Sequence, residues 1–103
     1  FKINYKSGEI FENLRLLDKK FEITRCFPSG KQQTWDLEPY WLKAEITGQR
    51  NNKNLIIKSK EKIVLVGSFL NINDKKKLLK KIEEAIEKYK LKNNLVKNTA
   101  KRN

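Results

Sequence analysis

At 103 residues the chain has room for one small domain. Its 24 lysines and arginines outnumber 12 acids, for a formal charge of +12, and it carries one cysteine and no histidine. That inventory excludes an internal disulfide, Cys–His and Ser–His–Asp catalytic sets and histidine-bearing zinc sites, and the isolated Gly8, Gly30, Gly48 and Gly67 exclude a phosphate-cradling loop.

The lone Cys26 fits a reducing compartment. No apolar run is long enough to span a bilayer or act as a signal peptide. The chain has no methionine and begins at Phe1, which reads as a piece cut from something longer. Most of the base is lysine, and asparagine and isoleucine are also frequent, so A/T-rich codon usage explains part of the charge.

In chain order, Phe1–Gly8 is polar without a clear period and reads as a connector. From Glu9 to Leu17, Ile10, Leu14 and Leu16 share one parity and predict a strand, closed by a turn at Asp18–Lys20. Phe21, Ile23, Arg25 and Phe27 alternate with Glu22, Thr24 and Cys26 as a second strand, and Pro28-Ser29-Gly30 supplies a hairpin turn. Lys31–Leu37 returns, and Pro39 bends the chain. A fourth strand is expected from the alternation of Tyr40, Leu42, Ala44 and Ile46 with Trp41, Lys43, Glu45 and Thr47. A polar loop from Gly48 leads to strands at Leu55–Ser59 and Ile63–Val66, the latter an unbroken apolar run that predicts burial on both faces.

Gly67 marks the exit into a helix. Asn71 is placed to cap it, with Asp74 three residues on. Leu78, Leu79, Ile82, Ala85, Ile86 and Tyr89 recur at helical spacing on one face. The helix is expected to end near Leu91, leaving 93–103 as a basic flexible tail after a domain at 9–92.

Two features compete for function. Lys75, Lys76, Lys77, Lys80 and Lys81 crowd the start of the helix, opposed mainly by Glu83, Glu84 and Glu87. Such a face is either simply solvated or a contact for an anionic partner, a membrane surface ahead of a nucleic acid. Lysines at a helix N-terminus also oppose its dipole. Trp35, Tyr40 and Trp41 are either packing aromatics or a stacking platform, and Trp41, on the opposite parity to Tyr40 and Leu42, is the candidate exposed contact. Cys26 has no activator, the carboxylates form no obvious acid–base couple, and neither catalytic residues nor a cofactor site are expected.

The segments WDLEPYWLKAEI (35–46) and LIIKSKEKIVLVGSFL (55–70), followed by a leucine-rich helix, resemble small alphaproteobacterial inner-membrane proteins grouped as domain of unknown function two-two-four-four. Pro39, Tyr40, Trp41, Ser59, Gly67, Phe69 and Leu70 carry the likeness. Where the family opens the helix with Pro-Glu-Glu-Arg-like residues, this chain has Ile72-Asn73-Asp74-Lys75. The resemblance implies a transmembrane hairpin upstream of a soluble β-rich domain with a C-terminal helix, and it brings no activity; the basic composition after such a hairpin places the domain on the cytoplasmic side.

The expected fold is therefore α+β: an antiparallel meander of about six strands, as a bent sheet or open barrel, with one C-terminal helix packed on it. A pleckstrin-homology-like arrangement fits this order, though it has seven strands against the six counted: either the first lies in Phe1–Gly8 or the likeness is approximate. The expected role is a non-enzymatic domain at the inner membrane surface contacting anionic lipid or another protein, with nucleic-acid binding as the alternative.

Overall fold

The computed structural model describes residues 2–7 and 10–102, with side-chain surroundings for 10–93. Seven strands come first: β1 (Lys2–Ser7), β2 (Ile10–Leu16), β3 (Phe21–Cys26), β4 (Gln32–Leu37), β5 (Lys43–Thr47), β6 (Asn54–Ser59) and β7 (Lys62–Val66). The helix α1 (Ile72–Arg102) closes the chain. The strands divide into a four-stranded sheet, β1-β2-β3-β4, and a three-stranded sheet, β5-β6-β7. All neighbouring pairs are antiparallel.

The division between the sheets falls where the sequence places proline. Pro39–Trp41 is a short 3-10 turn, with Glu38 and Leu42 extended on either side, so the ladder cannot run on from β4 into β5. Ser59 fixes that corner from across the fold, its buried hydroxyl donating to the Glu38 carbonyl at 2.7 Å. Tyr40 was expected at the head of a strand; it lies in the turn instead and is exposed, and the strand starts at Lys43.

Two further expectations are corrected. Lys2–Ser7, read as a connector, is β1, pairing along its length with β2 from Lys2↔Arg15 to Ser7↔Ile10. It is polar because an edge strand tolerates polar residues, which masks its period. The run in β7 is not buried on both faces: Val64 and Val66 are, whereas Ile63 is 60% exposed and Leu65 44%. A strand at the edge of an antiparallel sheet has one face on the core and one outside, whatever its composition. Ile63→Thr is therefore expected to change stability by less than about 0.5 kcal/mol. Val64→Ala is expected to cost about 2 kcal/mol, and urea titration of the two variants should show the contrast. Equal losses would mean that both faces of β7 are in fact covered.

The core lies between the sheets and under the helix. Leu14, Phe21, Ile23 and Leu37 from the first sheet meet Leu42, Leu55, Ile57, Val64 and Val66 from the second. From α1, Leu78, Ile82, Ala85 and Ile86 complete it, with Leu79 and Tyr89 packed at its border. The predicted apolar stripe is thus the one that docks. Its N-terminus is capped as expected: the Asp74 amide donates to Asn71 Oδ1 at 2.8 Å. The helix runs 31 residues, beyond the expected end near Leu91. No glycine or proline follows Gly67 to stop it.

Candidate functional site

The lysines proposed from sequence do not share one environment. Lys75 is buried, and its ammonium donates to the Lys53 carbonyl at 2.9 Å, tying the helix start to the loop before β6. Its spacing explains this, since Lys75 lies three and seven residues before Leu78 and Ile82 and so on the docked stripe. Lys76, Lys77, Lys80 and Lys81 are exposed on the outer side of the first turns. Among the described residues no carboxylate comes within ion-pair distance of these four. They therefore form a patch of lysines with no direct ion-pair partner among the described residues.

Trp41 is 55% exposed and meets Tyr40 edge-on, with ring centroids 5.2 Å apart and planes at 81°. Lys43 and Lys90 flank the pair around a shallow recess. Trp35 separates from them: it is half-buried against the core, with the Arg25 guanidinium 5.0 Å from its ring centre. The aromatic cluster anticipated from sequence is therefore split. Cys26 is a half-buried free thiol at the end of β3.

The most organised polar constellation was missed by the sequence reading. Glu12 on β2 is fully buried and stands directly across from Arg25 on β3. Its carboxylate takes the Arg25 Nε–H at 2.5 Å and the Gly67 amide at 2.8 Å, and Arg25 also donates to the Leu65 carbonyl at 2.6 Å. One carboxylate and one guanidinium thereby join the two sheets at the point where β7 hands over to the helix. Gly67 suits this place: its φ is +61°, and a Cβ there would meet Leu70 Cδ1 at 2.9 Å. The signal was present, because Glu12 is in phase with Leu14 and Leu16, and Arg25 with Phe21 and Ile23. A charged residue in phase with a core face needs a partner. Buried and held by Arg25 and the Gly67 amide, the carboxylate ties the first sheet to the exit of β7. Among the described residues no group of metal-ligating side chains comes together.

A groove of about 600 Å³ runs between β5 and α1, floored by Leu42, Ala44, Ile86 and Leu91. Glu83 and Glu87 stand on its helical wall.

A two-sheet α+β domain with a docked helix and an unpaired basic patch is the setting in which the comparisons fall. The chain belongs to the family described as "Integral membrane protein (DUF2244)", whose model matches residues 1–86. That family is one of unknown function. No curated protein and no solved structure gives a match. Among the described residues no helix is long and apolar enough to cross a membrane.

Proposed function

We propose that this chain is a non-enzymatic domain of a bacterial inner-membrane protein, lying on the cytoplasmic side and holding anionic lipid headgroups through the outer face of α1. The observation that carries the reading is the exposed, unpaired set Lys76, Lys77, Lys80 and Lys81 on a member of an integral membrane family. Each lysine close to an acidic bilayer contributes about 1 kcal/mol, so four are enough for reversible attachment. Lys75 takes no part, being committed to the Lys53 carbonyl. The seven strands, divided four and three before a C-terminal helix, support a pleckstrin-homology-like classification of the fold.

Sedimentation with phosphatidylglycerol-rich vesicles is the direct test. Binding to these but not to phosphatidylcholine vesicles, weakening as salt rises, is the expected result. Reversing Lys76, Lys77, Lys80 and Lys81 to Glu together should abolish it, while Lys75→Glu should unfold or loosen the domain instead. Retention of full binding after the fourfold reversal would overturn the lipid reading.

A nucleic-acid reading is favoured by the exposed Trp41 between Lys43 and Lys90, which is a stacking arrangement. Tight oligonucleotide binding with a steep salt slope, lost in Trp41→Ala, would install that reading in place of the first.

A further inference from the structure

We infer that the Tyr40–Trp41 corner, with Leu91 near it, is a wedge that enters the boundary between the headgroups and acyl chains of a bilayer. It fixes there the domain that the lysines of α1 attract, so the inference rests on the membrane reading and adds an apolar contact to it. The corner is firmly built. Pro39 and Leu42, on either side of the two aromatic residues, are buried. The Trp41 amide donates to the Glu38 carbonyl at 3.3 Å and the Leu42 amide to the Pro39 carbonyl at 3.2 Å, while the Ser59 hydroxyl holds Glu38 from β6. Between these fixed points Tyr40 is 42% exposed and Trp41 55%.

Among the described residues six large hydrophobic side chains are exposed, and three of them gather round Lys43 and Lys90. Tyr40 and Trp41 line the recess with these two lysines, and Leu91 lines the adjoining groove that shares them. Single exposed apolar residues are ordinary, whereas a cluster marks a contact surface. The charges beside it nearly cancel: Lys43 and Lys90 stand with Glu83 and Glu87, and Glu45 is paired with Lys58 at 2.7 Å. A nucleic acid asks more net positive charge of its groove than this. A bilayer interface asks for what is present, aromatic residues with an apolar body and a polar edge, and lysines long enough to reach headgroups. The integral membrane family to which the chain belongs supplies the bilayer.

The helix connects the corner to the lysine face. Lys90, whose ammonium donates to the Leu42 carbonyl at 3.5 Å, follows Lys76 by about 21 Å along the axis and about 40° around it. One flank of α1 thus has exposed lysines at its start and the aromatic corner at Lys90. Glu83 and Glu87 fall on this flank between the two, so contact with an acidic surface is made at its ends rather than along it. The lysines supply attraction from a distance, which salt screens, and the wedge supplies burial of apolar surface, which salt does not weaken.

Tryptophan fluorescence of the full 103-residue chain with phosphatidylglycerol-rich vesicles tests the wedge. Trp35→Phe leaves Trp41 as the only indole, and if that variant folds poorly the native chain minus Trp41→Phe reports the same emission. On adding vesicles, Trp41 emission is expected to shift to the blue and to be quenched by lipids brominated near the top of their acyl chains. Trp41→Ala should weaken attachment about tenfold at low and high salt alike, whereas the effect of reversing the four lysines should shrink as salt rises. Attachment that leaves Trp41 unshifted and unquenched, or that is undiminished in Trp41→Ala, would overturn the wedge and leave the lysine contact standing. Quenching that persists after the fourfold reversal would uphold the wedge and overturn the lysine contact. A native chain that attaches to no vesicle overturns both, and a Trp41 shift given by an oligonucleotide but not by vesicles assigns the corner to nucleic acid instead.

Discussion

Glu12→Ala is expected to lower the unfolding free energy by about 3 kcal/mol, near the low end of the range for breaking a buried ion pair. Two bonds are lost together, the one from Arg25 and the one from the Gly67 amide. Arg25 is left with its Leu65 contact and the Trp35 face but no countercharge. Its side chain retains 20% exposure, so water recovers part of the cost, which is why the upper end of the range is not expected. Arg25→Ala should cost at least as much, because it leaves the fully buried Glu12 carboxylate with the Gly67 amide but no countercharge. A double-mutant cycle by urea titration measures the coupling between the two residues. Coupling below about 0.5 kcal/mol would show that Glu12 and Arg25 act independently and that the network does not clamp the sheets together.

The second large effect lies in the helix. Ile82 is 1% exposed in the middle of the docked stripe, between Leu78 and Ile86. Ile82→Ala removes three buried carbons from the core face of the helix, and is expected to cost about 3 kcal/mol. Lys80→Ala, two residues away on the outer face, should change stability by less than about 0.5 kcal/mol. If Ile82→Ala proved as mild as Lys80→Ala, the helix would not be an integral part of the core. The contrast also protects the vesicle experiment: loss of binding on changing the outer lysines can then be read as loss of contact rather than of folding.

Much of this architecture could be read from local pattern. The alternation in Phe21–Phe27, the turn at Pro28-Ser29-Gly30 and the stripe from Leu78 to Tyr89 each involve residues close in the chain. Their structural counterparts follow directly: β3, a turn in which the Gly30 amide donates to the Phe27 carbonyl at 2.9 Å, and the docked face of α1. Lys75 was legible too, since its spacing from Leu78 and Ile82 puts it on the docked face. Charge alone suggested the opposite, and a long lysine side chain can lie along the core while its ammonium finds a carbonyl.

The candidate sites were less legible. Trp41 was expected outside and is, but for another reason: it lies in a 3-10 turn, so strand parity does not apply to it. The β5 groove has no local signature at all, because its two walls, Leu42–Glu45 and Glu83–Leu91, lie far apart in the chain.

By itself the sequence determined most of the strands, though not β1 or the start of β5, together with the helix and the face it buries, the positions of its cap and of the main turns, and the kinship with an integral membrane family. Those properties depend on neighbours one to four residues away, or on the order of the residues themselves. Only the tertiary structure decided that the strands split into two sheets at Pro39, that β5 and β7 are edges, and that Ile63 and Leu65 lie outside. It also joined Glu12, Arg25 and Gly67 and left a groove beside Ala44. Whether a strand is central or at an edge, and whether a buried charge is satisfied, depends on which distant segments lie beside it, and alternation within a strand is the same in either case.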